Sequence, residues 1–359
     1  MRPQKYIDVA DRLAARIRNG DYHLNELPAE RELAVEAGVS YATARKAVQT
    51  LVEKGLLRRL PNGRAAPLPA VNGTHNATPA QIALLTPAWQ SSALLEWRHA
   101  LSKACENRQA SIRTVLFTHW DDPIIATTVQ GFDGTFLMPS SEPATEPLMK
   151  TLRECGRPLV VLESDWSDSG IRSVVTNPNF CAHRLLDHLA SLGHRKIDYF
   201  NVQPEHTRFL NPWRLWLAAQ HLEGDCIDEP VKPYEDTLPA AYAIVDRLIR
   251  SGKFKSKALF CTTETAALGT MSAMIDHGLR PGRDVAVCTA DSGPRTAFCN
   301  PSLTSMAQLD LVPYATVCLD WMMGAVGQSW SGPLLLQPDD AKVVVRHSTV
   351  PDAKKPRRL

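Results

Sequence analysis

Apolar residues recur at helical spacing in two short runs near the start of the chain. The first run predicts a helix with Leu33, Ala34 and Ala37 on one side. Gly38 is suited to end this helix in a left-handed cap, and Ser40 is suited to cap the next one. The second run, at spacings i, i+3, i+4, i+7 and i+8, predicts one buried stripe: Ala44, Ala47, Val48, Leu51 and Val52.

The outer side of the second predicted helix carries short residues at its start and long hydrogen-bonding residues after them: Ala42, Thr43, Arg45, Lys46 and Gln49. Such a face fits the major groove of DNA, where Arg and Gln read base edges and Lys meets phosphate. Gly55 ends the helix, and a basic hairpin follows at residues 56–64 with the turn Pro61-Asn62-Gly63-Arg64. Residues 27–64 therefore predict a winged helix-turn-helix.

Four segments of this stretch resemble the DNA-binding domain of GntR-type bacterial repressors, over roughly the first 64 residues: PAERELA at 28–34, GVS at 38–40, TAR at 43–45 and GL at 55–56. The resemblance implies that Arg31 and Arg45 contact DNA, that Thr43 lies near the backbone and that Gly63 of the wing reaches the minor groove. The whole set expected at DNA is Arg31, Ser40, Tyr41, Thr43, Arg45, Lys46, Gln49, Gly63 and Arg64.

The sequence departs from that family pattern at two positions. Tyr41 stands where many members carry Arg, so stacking or a hydroxyl hydrogen bond would replace one DNA contact. Ala29 stands where many carry Ser, which removes a capping oxygen. Glu30 and Glu32 still favour the positive end of the helix dipole.

Beyond residue 80 the pattern changes to short apolar strands that alternate with helices. The predicted strands are 82–86, 112–117, 134–138, 158–162, 174–175, 196–201, 258–261 and 285–288. The predicted helices are 92–107, 147–155, 178–192, 211–222, 239–251 and 264–277, besides an opening helix at 3–19. This alternation predicts α/β layers with parallel sheets, in which ligands bind beyond the carboxyl ends of the strands.

Three patches in this part resemble the periplasmic-binding-protein-like effector domain of LacI-type repressors. They are LDHL with LGHRKI at 186–197, AALG with GLRPGRDVAV at 266–287, and PSLTS with Gln308 at 301–308. The resemblance implies two hinged lobes flanked by helices, about 81–163 with 291–320 and about 164–290 with 321–350. A GntR-type reader joined to a LacI-type sensor is similar to the arabinose-repressor branch of the GntR regulators.

The predicted organisation is a DNA-binding domain at 1–64, a proline-rich linker at 65–80, an effector-binding domain at 81–350 and a basic, solvated tail at 351–359. Residues 1–64 hold 12 Lys and Arg against 8 Asp and Glu, whereas the remainder holds 28 against 30. The basic end is thus the end that would neutralise phosphates. The eight cysteines are scattered, as in a reducing compartment, and show no metal-ligand spacing.

By family position, the effector would be held by Arg214, Asp291, Glu264 and Gln308. Arg214 would offer a rigid fork of donors, although a surface salt bridge is its alternative role. Asp291 would accept hydrogen bonds from hydroxyls, or else cap a helix or support the hinge. Gln308 could contact the cleft or the hinge. Trp89, Trp120 and Trp166 could stack on a sugar face or pack in the core.

We therefore expect a non-enzymatic transcription regulator without cofactor or metal, cytoplasmic and associated with the nucleoid. It would act as a homodimer on operator DNA, and a small polar effector, a sugar or sugar derivative, would control its affinity. Repression relieved by ligand is the expected sign. The alternatives are a solute-binding protein, which the apparent lack of an export signal disfavours, and an enzyme domain linked to the GntR-type reader. The chain lacks a recognisable Schiff-base lysine for the aminotransferase type of such enzymes.

Overall fold

The computed structural model describes residues 5–18, 21–22, 27–67, 79–88, 91–106, 108–204, 207–324 and 334–350. Its first unit contains helices α1 (Lys5–Arg18), α2 (Glu30–Ala37) and α3 (Tyr41–Glu53), and strands β1 (Leu57–Arg59) and β2 (Ala65–Pro67). The two strands pair antiparallel and form the wing. The wing therefore extends to residue 67, within the segment predicted as linker; residues 68–78 lie outside the described ranges.

Local sequence signals explain the helix ends in this unit. Gly38 has φ +63° and closes α2, while the Ser40 hydroxyl accepts a 3.3 Å hydrogen bond from the Thr43 backbone N–H at the start of α3. Ala29 supplies no capping side chain, as predicted. Instead the Glu32 carboxylate accepts a 2.8 Å hydrogen bond from the Ala29 N–H. The predicted stripe of α3 is buried against α1 and α2, apart from the half-buried Val52.

Lobe one is a parallel sheet with helices on both faces. In chain order it contains β3 (Ala80–Pro87), α4 (Ser92–Glu106), β4 (Ala110–Phe117), α5 (Pro123–Gly131), β5 (Gly134–Leu137), α6 (Glu146–Glu154), β6 (Leu159–Leu162) and β7 (Arg172–Val174). All pairings among these strands are parallel. The apolar strands 82–86, 134–138 and 158–162 were thus predicted in the right places.

Lobe two repeats this arrangement. It contains α7 (Phe180–Ser191), β8 (Asp198–Asn201), α8 (Leu210–Gln220), β9 (Cys226–Asp228), α9 (Thr237–Arg250), β10 (Ala258–Cys261), α10 (Glu264–Asp276), β11 (Ala286–Thr289), α11 (Arg295–Phe298) and β12 (Thr304–Met306). The chain then returns to lobe one, where it forms α12 (Val312–Met322) and β13 (Leu335–Leu336). Its last described strand, β14 (Val343–Val344), lies in lobe two. The α/β class with two parallel-sheet lobes is confirmed.

Strand pairing places the lobe boundaries differently from the predicted ones. Lobe one has the strand order β13-β7-β6-β5-β3-β4, and lobe two has β14-β12-β11-β10-β8-β9. The segment 164–174 therefore belongs to lobe one, because β7 pairs with β6. Residues 291–306 belong to lobe two, because β12 pairs with β11. The chain crosses between the lobes three times, at 175–179, 307–311 and 337–342.

Each unit has its own apolar core. The winged unit packs around Leu13, Ala44 and Leu51. In lobe one, α4 and α12 cover one face of the sheet around Trp97. In lobe two, Tyr199, Trp213 and Phe260 form the core on one face of the sheet. The helices α9 and α10 cover the other face. The winged unit and the two lobes are thus three units of one chain, and each of them packs around its own core.

Candidate DNA-reading surface and interlobe cleft

Helix α3 presents a polar face because its apolar stripe is used in packing. Ala44, Ala47, Val48 and Leu51 are fully buried, whereas Arg45, Lys46 and Gln49 on the opposite side are exposed. Arg31 on α2 and Gly63 and Arg64 at the wing tip are also exposed. Arg31, Tyr41, Gly63 and Arg64 line one depression of the winged unit, and Arg45 lies one turn along α3 from Tyr41.

Several of these side chains already have partners within the protein. The Lys46 ammonium lies 4.2 Å from the centroid of the Tyr6 ring. The Gln49 amide donates a 3.2 Å hydrogen bond to Glu53, and the Ser40 and Thr43 hydroxyls are 2.9 Å apart. No side-chain partner is recorded for Arg31 or Arg45 among the described residues, so these two guanidinium groups are the ones free to meet DNA.

Tyr41 is held by the wing side of the domain. Its hydroxyl donates a 3.0 Å hydrogen bond to one oxygen of Glu30, and the other oxygen accepts a 2.6 Å ion pair from Arg59 on β1. Arg59 also donates to the Gly63 carbonyl at 3.0 Å. We call Glu30, Tyr41 and Arg59 the wing clamp. It fixes the wing against the start of α3, which gives Tyr41 a positioning role.

The second group of polar residues lies between the lobes. Glu163 follows β6, Asp291 follows β11, and Glu264 begins α10 directly after β10. Arg208 lies in the 3-10 turn Thr207–Phe209 that precedes α8. Because the carboxyl ends of parallel strands line the crevice of such folds, these side chains face the interlobe cleft.

Glu163 connects lobe one to the first crossing segment. It adopts φ +59°, a left-handed conformation that non-glycine residues seldom take. One carboxylate oxygen accepts a 2.8 Å hydrogen bond from the Trp97 indole, and the same oxygen accepts from the Thr176 hydroxyl. The other accepts from the Thr176 N–H at 3.3 Å. Unusual backbone geometry of this kind is often found at functional sites.

Arg208 reaches across the cleft from lobe two. Its guanidinium donates to the backbone carbonyl of Glu163 at 3.4 Å and to the carbonyl of Asn177, and lies 5.2 Å from the Phe209 ring centroid. Burial lowers the pKa of Arg208, and the nearby carboxylates of Glu163 and Asp291 oppose that shift. The structure thus places a desolvated cation where the two lobes meet.

Two carboxylates of lobe two lie beside each other. Asp291 accepts a 2.7 Å hydrogen bond from the Glu264 N–H at the start of α10, so one of its oxygens acts as a helix cap. Burial raises the pKa of Asp291 to about 6, and the charge of Glu264 adds to the shift. The Glu264 side chain is only 1% exposed and forms a 2.8 Å ion pair with Arg295.

A cavity of about 240 Å³ lies where the three crossing segments meet. Its polar lining includes Glu96 of α4, Thr176, Asn177, Ser292 and Gln308. Burial raises the pKa of Glu96, while a hydrogen bond with Gln308 lowers it. Gln308 therefore lies both at a hinge segment and at the cavity, which unites its two predicted roles.

Other predicted effector contacts lie elsewhere. Trp120 is 8% exposed, stacks on Phe117 with ring centroids 5.0 Å apart, and donates a 2.8 Å hydrogen bond to the Glu142 carbonyl. Trp166 packs beside it at 6.1 Å. Both belong to the core of lobe one, which was their alternative role. Trp89 lies outside the described residues.

Arg214 does not reach the cleft. It is exposed on α8, whose inward side is formed by Trp213, Trp216 and Leu217. One turn and a half earlier, the same segment places Arg208 between the lobes. Family position pointed to this segment, but the arginine that it named is turned outward, because helical periodicity exposes residue 214.

Sequence reasoning missed four cleft residues: Glu96, Glu163, Asn177 and Arg208. Glu163 directly follows the predicted strand 158–162, which was a usable signal. Asn177 precedes Pro178, at a crossing point that only strand order reveals. Glu96 lies inside a helix, and no local pattern distinguishes it from a solvated glutamate.

Comparisons with known proteins agree with both halves of this description. Residues 5–66 match the model of the gntR family of bacterial regulatory proteins, and residues 186–349 match the periplasmic binding protein-like domain. The chain is 24% identical over 299 residues to the transcriptional repressor PurR of Haemophilus influenzae, covering 78% of this chain and 86% of that protein.

Solved structures show the same fold. The lac repressor dimer bound to operator and the anti-inducer ONPF aligns with a TM-score of 0.64 at 19% identity, over 76% of this chain and 94% of that one. A LacI family regulator from Arthrobacter, in complex with lactose, gives 0.62 at 18% identity, over 75% and 99%.

Among the described residues, no helix has the length and apolar character that crossing a membrane requires. In the same residues, no group of three or more His, Cys, Asp or Glu is placed to hold a metal ion. The chain is a DNA-binding transcription regulator that joins a segment matching the gntR family of bacterial regulatory proteins to a periplasmic binding protein-like domain.

Proposed function

We propose that this protein is a cytoplasmic repressor whose affinity for operator DNA is controlled by a small polar ligand in the interlobe cleft. One observation carries the proposal: a winged unit with two free arginines is covalently joined to a two-lobed domain whose lobes meet at desolvated polar groups. The covalent linkage of these two units favours a mechanism in which occupancy of the cleft alters DNA binding. No enzymatic role is assigned.

DNA reading begins with Arg31 and Arg45. Arg donates two parallel hydrogen bonds to guanine, or pairs with phosphate. Arg45 is positioned by the buried stripe of α3, and Arg31 lies on α2, which packs against α3. Ser40, Thr43, Lys46 and Gln49 would support the register of the helix, and Gly63 and Arg64 would carry the wing toward the minor groove. A homodimer would present two reading helices about one DNA turn apart to a pseudo-palindromic operator.

Ligand control follows from the three crossing segments. A ligand that contacts both lobes stabilises one interlobe angle. It can change the operator affinity only by as much as its own affinities for the two interlobe arrangements differ. Coupling of about 1–3 kcal/mol is usual for such sensors. A sugar or sugar derivative is the proposed class, in keeping with the lactose bound by the Arthrobacter regulator. Release of the operator by ligand is the proposed sign.

Arg208, Asp291, Glu264 and Gln308 are the proposed ligand contacts. The guanidinium of Arg208 supplies donors, and the carboxylates and the amide accept hydrogen bonds from ligand hydroxyl groups. Arg214 is excluded from this set because its side chain is exposed on the outer face of α8.

The test uses the full chain, an operator selected from random DNA, and fluorescence anisotropy with a panel of sugars and sugar acids. Arg208→Lys should remove the response of operator affinity to the active sugar. Arg214→Lys, the matched control on the same segment, should retain it. Equal responses from both variants would contradict the assignment of Arg208, and failure to select any DNA would contradict the regulatory role itself.

A further inference from the structure

The hydrogen-bonding groups of the cleft are unbalanced: buried acceptors lack donors. The Asn177 side chain lines the cavity and donates a 2.9 Å hydrogen bond to the Ala290 carbonyl, which fixes the direction of its amide. Its buried carbonyl oxygen has no recorded partner, and neither has one oxygen of Glu264, whose side chain is 1% exposed. Buried polar atoms normally have partners. The Asn177 oxygen lies at the cavity and is placed to accept a hydrogen bond from a ligand, whereas Glu264 is not among the residues that line the cavity.

The charges of the cleft are unbalanced in the same direction. The Glu264 carboxylate is paired with Arg295, which leaves Glu96, Glu163 and Asp291. These three carboxylates come from both lobes and interact electrostatically with one another. The cation among them is Arg208, and its recorded hydrogen bonds go to backbone carbonyls. With all three ionised, two negative charges remain without a matching cation among these groups.

The rim of the cavity adds one cation, Lys342, whose charge is screened by solvent. Asp340 forms a 3.0 Å ion pair with Arg184 on the surface, and Lys342 is exposed to solvent. The carboxylates that lack a cation therefore lie inward of the rim, where water screens charge less than at the surface.

We infer that the cleft binds a ligand carrying a protonated amine, whose N–H groups meet the unpartnered oxygen of Asn177 and whose charge is matched by Glu96, Glu163 and Asp291. This inference rests on the proposed function only in placing the effector in the cleft. An ammonium group offers three donors and no acceptor, which is the complement of this site. A carboxylate or phosphate ligand would add a like charge to the cluster and is disfavoured.

The raised pKa values of Asp291 and Glu96 agree with this conclusion, because a carboxyl group that lacks a cation is harder to ionise in a desolvated site. The groups that face Asp291 are the carboxylates of Glu264, Glu163 and the guanidinium of Arg208. A bound ammonium would favour ionisation of both carboxyl groups.

The test compares three small probes of nearly equal size: ethanolamine, ethylene glycol and glycolate. Melting of the full chain is followed at neutral pH and matched ionic strength. Ethanolamine should raise the melting temperature in a concentration-dependent way, and the neutral and anionic probes should not. A shift with glycolate as large as that with ethanolamine, or no shift with ethanolamine, would overturn the inference.

Charge variants locate the binding. Asp291→Asn and Glu96→Gln should each raise the apparent Kd for ethanolamine by about tenfold. Glu146→Gln removes an equal charge from an 80% exposed side chain of lobe one and should leave the Kd unchanged. Unchanged binding in both cleft variants would overturn the inference.

Operator binding by the same preparation separates this failure from failure of the proposed function. If ethanolamine fails but a neutral sugar releases the operator, the amine inference falls and the ligand-controlled repressor stands. If ethanolamine binds as predicted but no operator can be selected, the amine site stands and the regulatory role falls.

Discussion

The DNA-reading surface and the interlobe cleft both depend on charged side chains, but the two regions arrange them in opposite ways. On the winged unit, Arg31 and Arg45 are exposed cations with no recorded partner. In the cleft, Asp291 and Arg208 are desolvated, and with Glu163 they lie within a network that joins both lobes. Exposed cations cost little until DNA arrives, whereas desolvated carboxylates are held at a cost in stability that a ligand can relieve.

This difference assigns different functions to the two regions. The winged unit meets a large polyanion whose counterions are released on binding, so it needs no preformed pocket. The cleft must distinguish one small molecule from others, and therefore its groups are fixed by neighbouring side chains before the ligand binds. Variants in the two regions should consequently separate stability from DNA affinity.

The largest effect is expected from Trp97→Ala. The indole is fully buried in lobe one and donates to Glu163, so the substitution leaves a large void and removes one of the donors to that carboxylate. A loss of about 3–5 kcal/mol is typical for such a truncation. Calorimetry should show the transition of the large domain at lower temperature, with that of the winged unit unchanged because its core is separate. Lys103→Ala on the exposed side of α4 is the control. A common shift of both transitions would contradict the independence of the two regions.

Arg45→Ala tests the opposite region. We expect a loss of about 1–3 kcal/mol in specific operator affinity, since a base-reading or phosphate-reading guanidinium is removed. Thermal stability should not change, because Arg45 is exposed. Anisotropy at fixed salt measures the affinity, with Arg153→Ala in lobe one as a control of equal charge. Full affinity in the Arg45 variant would remove Arg45 from the reading surface.

Asp291→Asn tests whether the cleft carboxylate is destabilising. Its pKa in the folded chain is about 6, above the ordinary 3.8, so the folded state holds the proton more tightly than the unfolded state. This contribution is fully present below about pH 4 and is lost as the pH rises through 6. The variant should therefore gain roughly 1–2 kcal/mol at pH 7.5 and little at pH 4. Urea denaturation at both pH values provides the measurement. An equal change at both values would contradict the assigned pKa.

The smallest effect is expected from Tyr41→Phe. The hydroxyl that is removed belongs to the wing clamp, so its loss should weaken operator binding by only about 0.5–1.5 kcal/mol, the usual net value of one hydrogen bond. Glu30→Gln, which weakens both arms of the clamp, should have the larger effect. If Tyr41→Phe matched the loss seen with Arg45→Ala, the hydroxyl would have to contact DNA directly.

The contrast also explains what the sequence could predict. The winged unit follows from local spacing. Gly38, Ser40 and the apolar stripe of α3 determine the two helices, and the arginines lie on the helix faces that this packing leaves exposed. The alternation of apolar strands and helices likewise predicts the two layers, because strands buried on both faces are continuously apolar.

The cleft could be predicted only in part, because it depends on contacts between distant segments. Asp291 and Glu264 were predicted from family position, and each lies just after a strand of lobe two. Glu163 and Arg208 lie 45 positions apart in the sequence, and the choice between Arg208 and Arg214 depends on where α8 begins. The lobe boundaries failed for the same reason: β7 and β12 are three-residue strands whose sheet membership is set by pairing.

The most direct test of the central claim is the affinity of the full chain for its selected operator, measured by anisotropy with and without a ligand already shown by calorimetry to bind the cleft. The account predicts a change of about 10- to 100-fold in operator Kd, which Asp291→Asn and Arg208→Lys reduce and Arg214→Lys preserves. An operator Kd that stays constant while the cleft is saturated would contradict it.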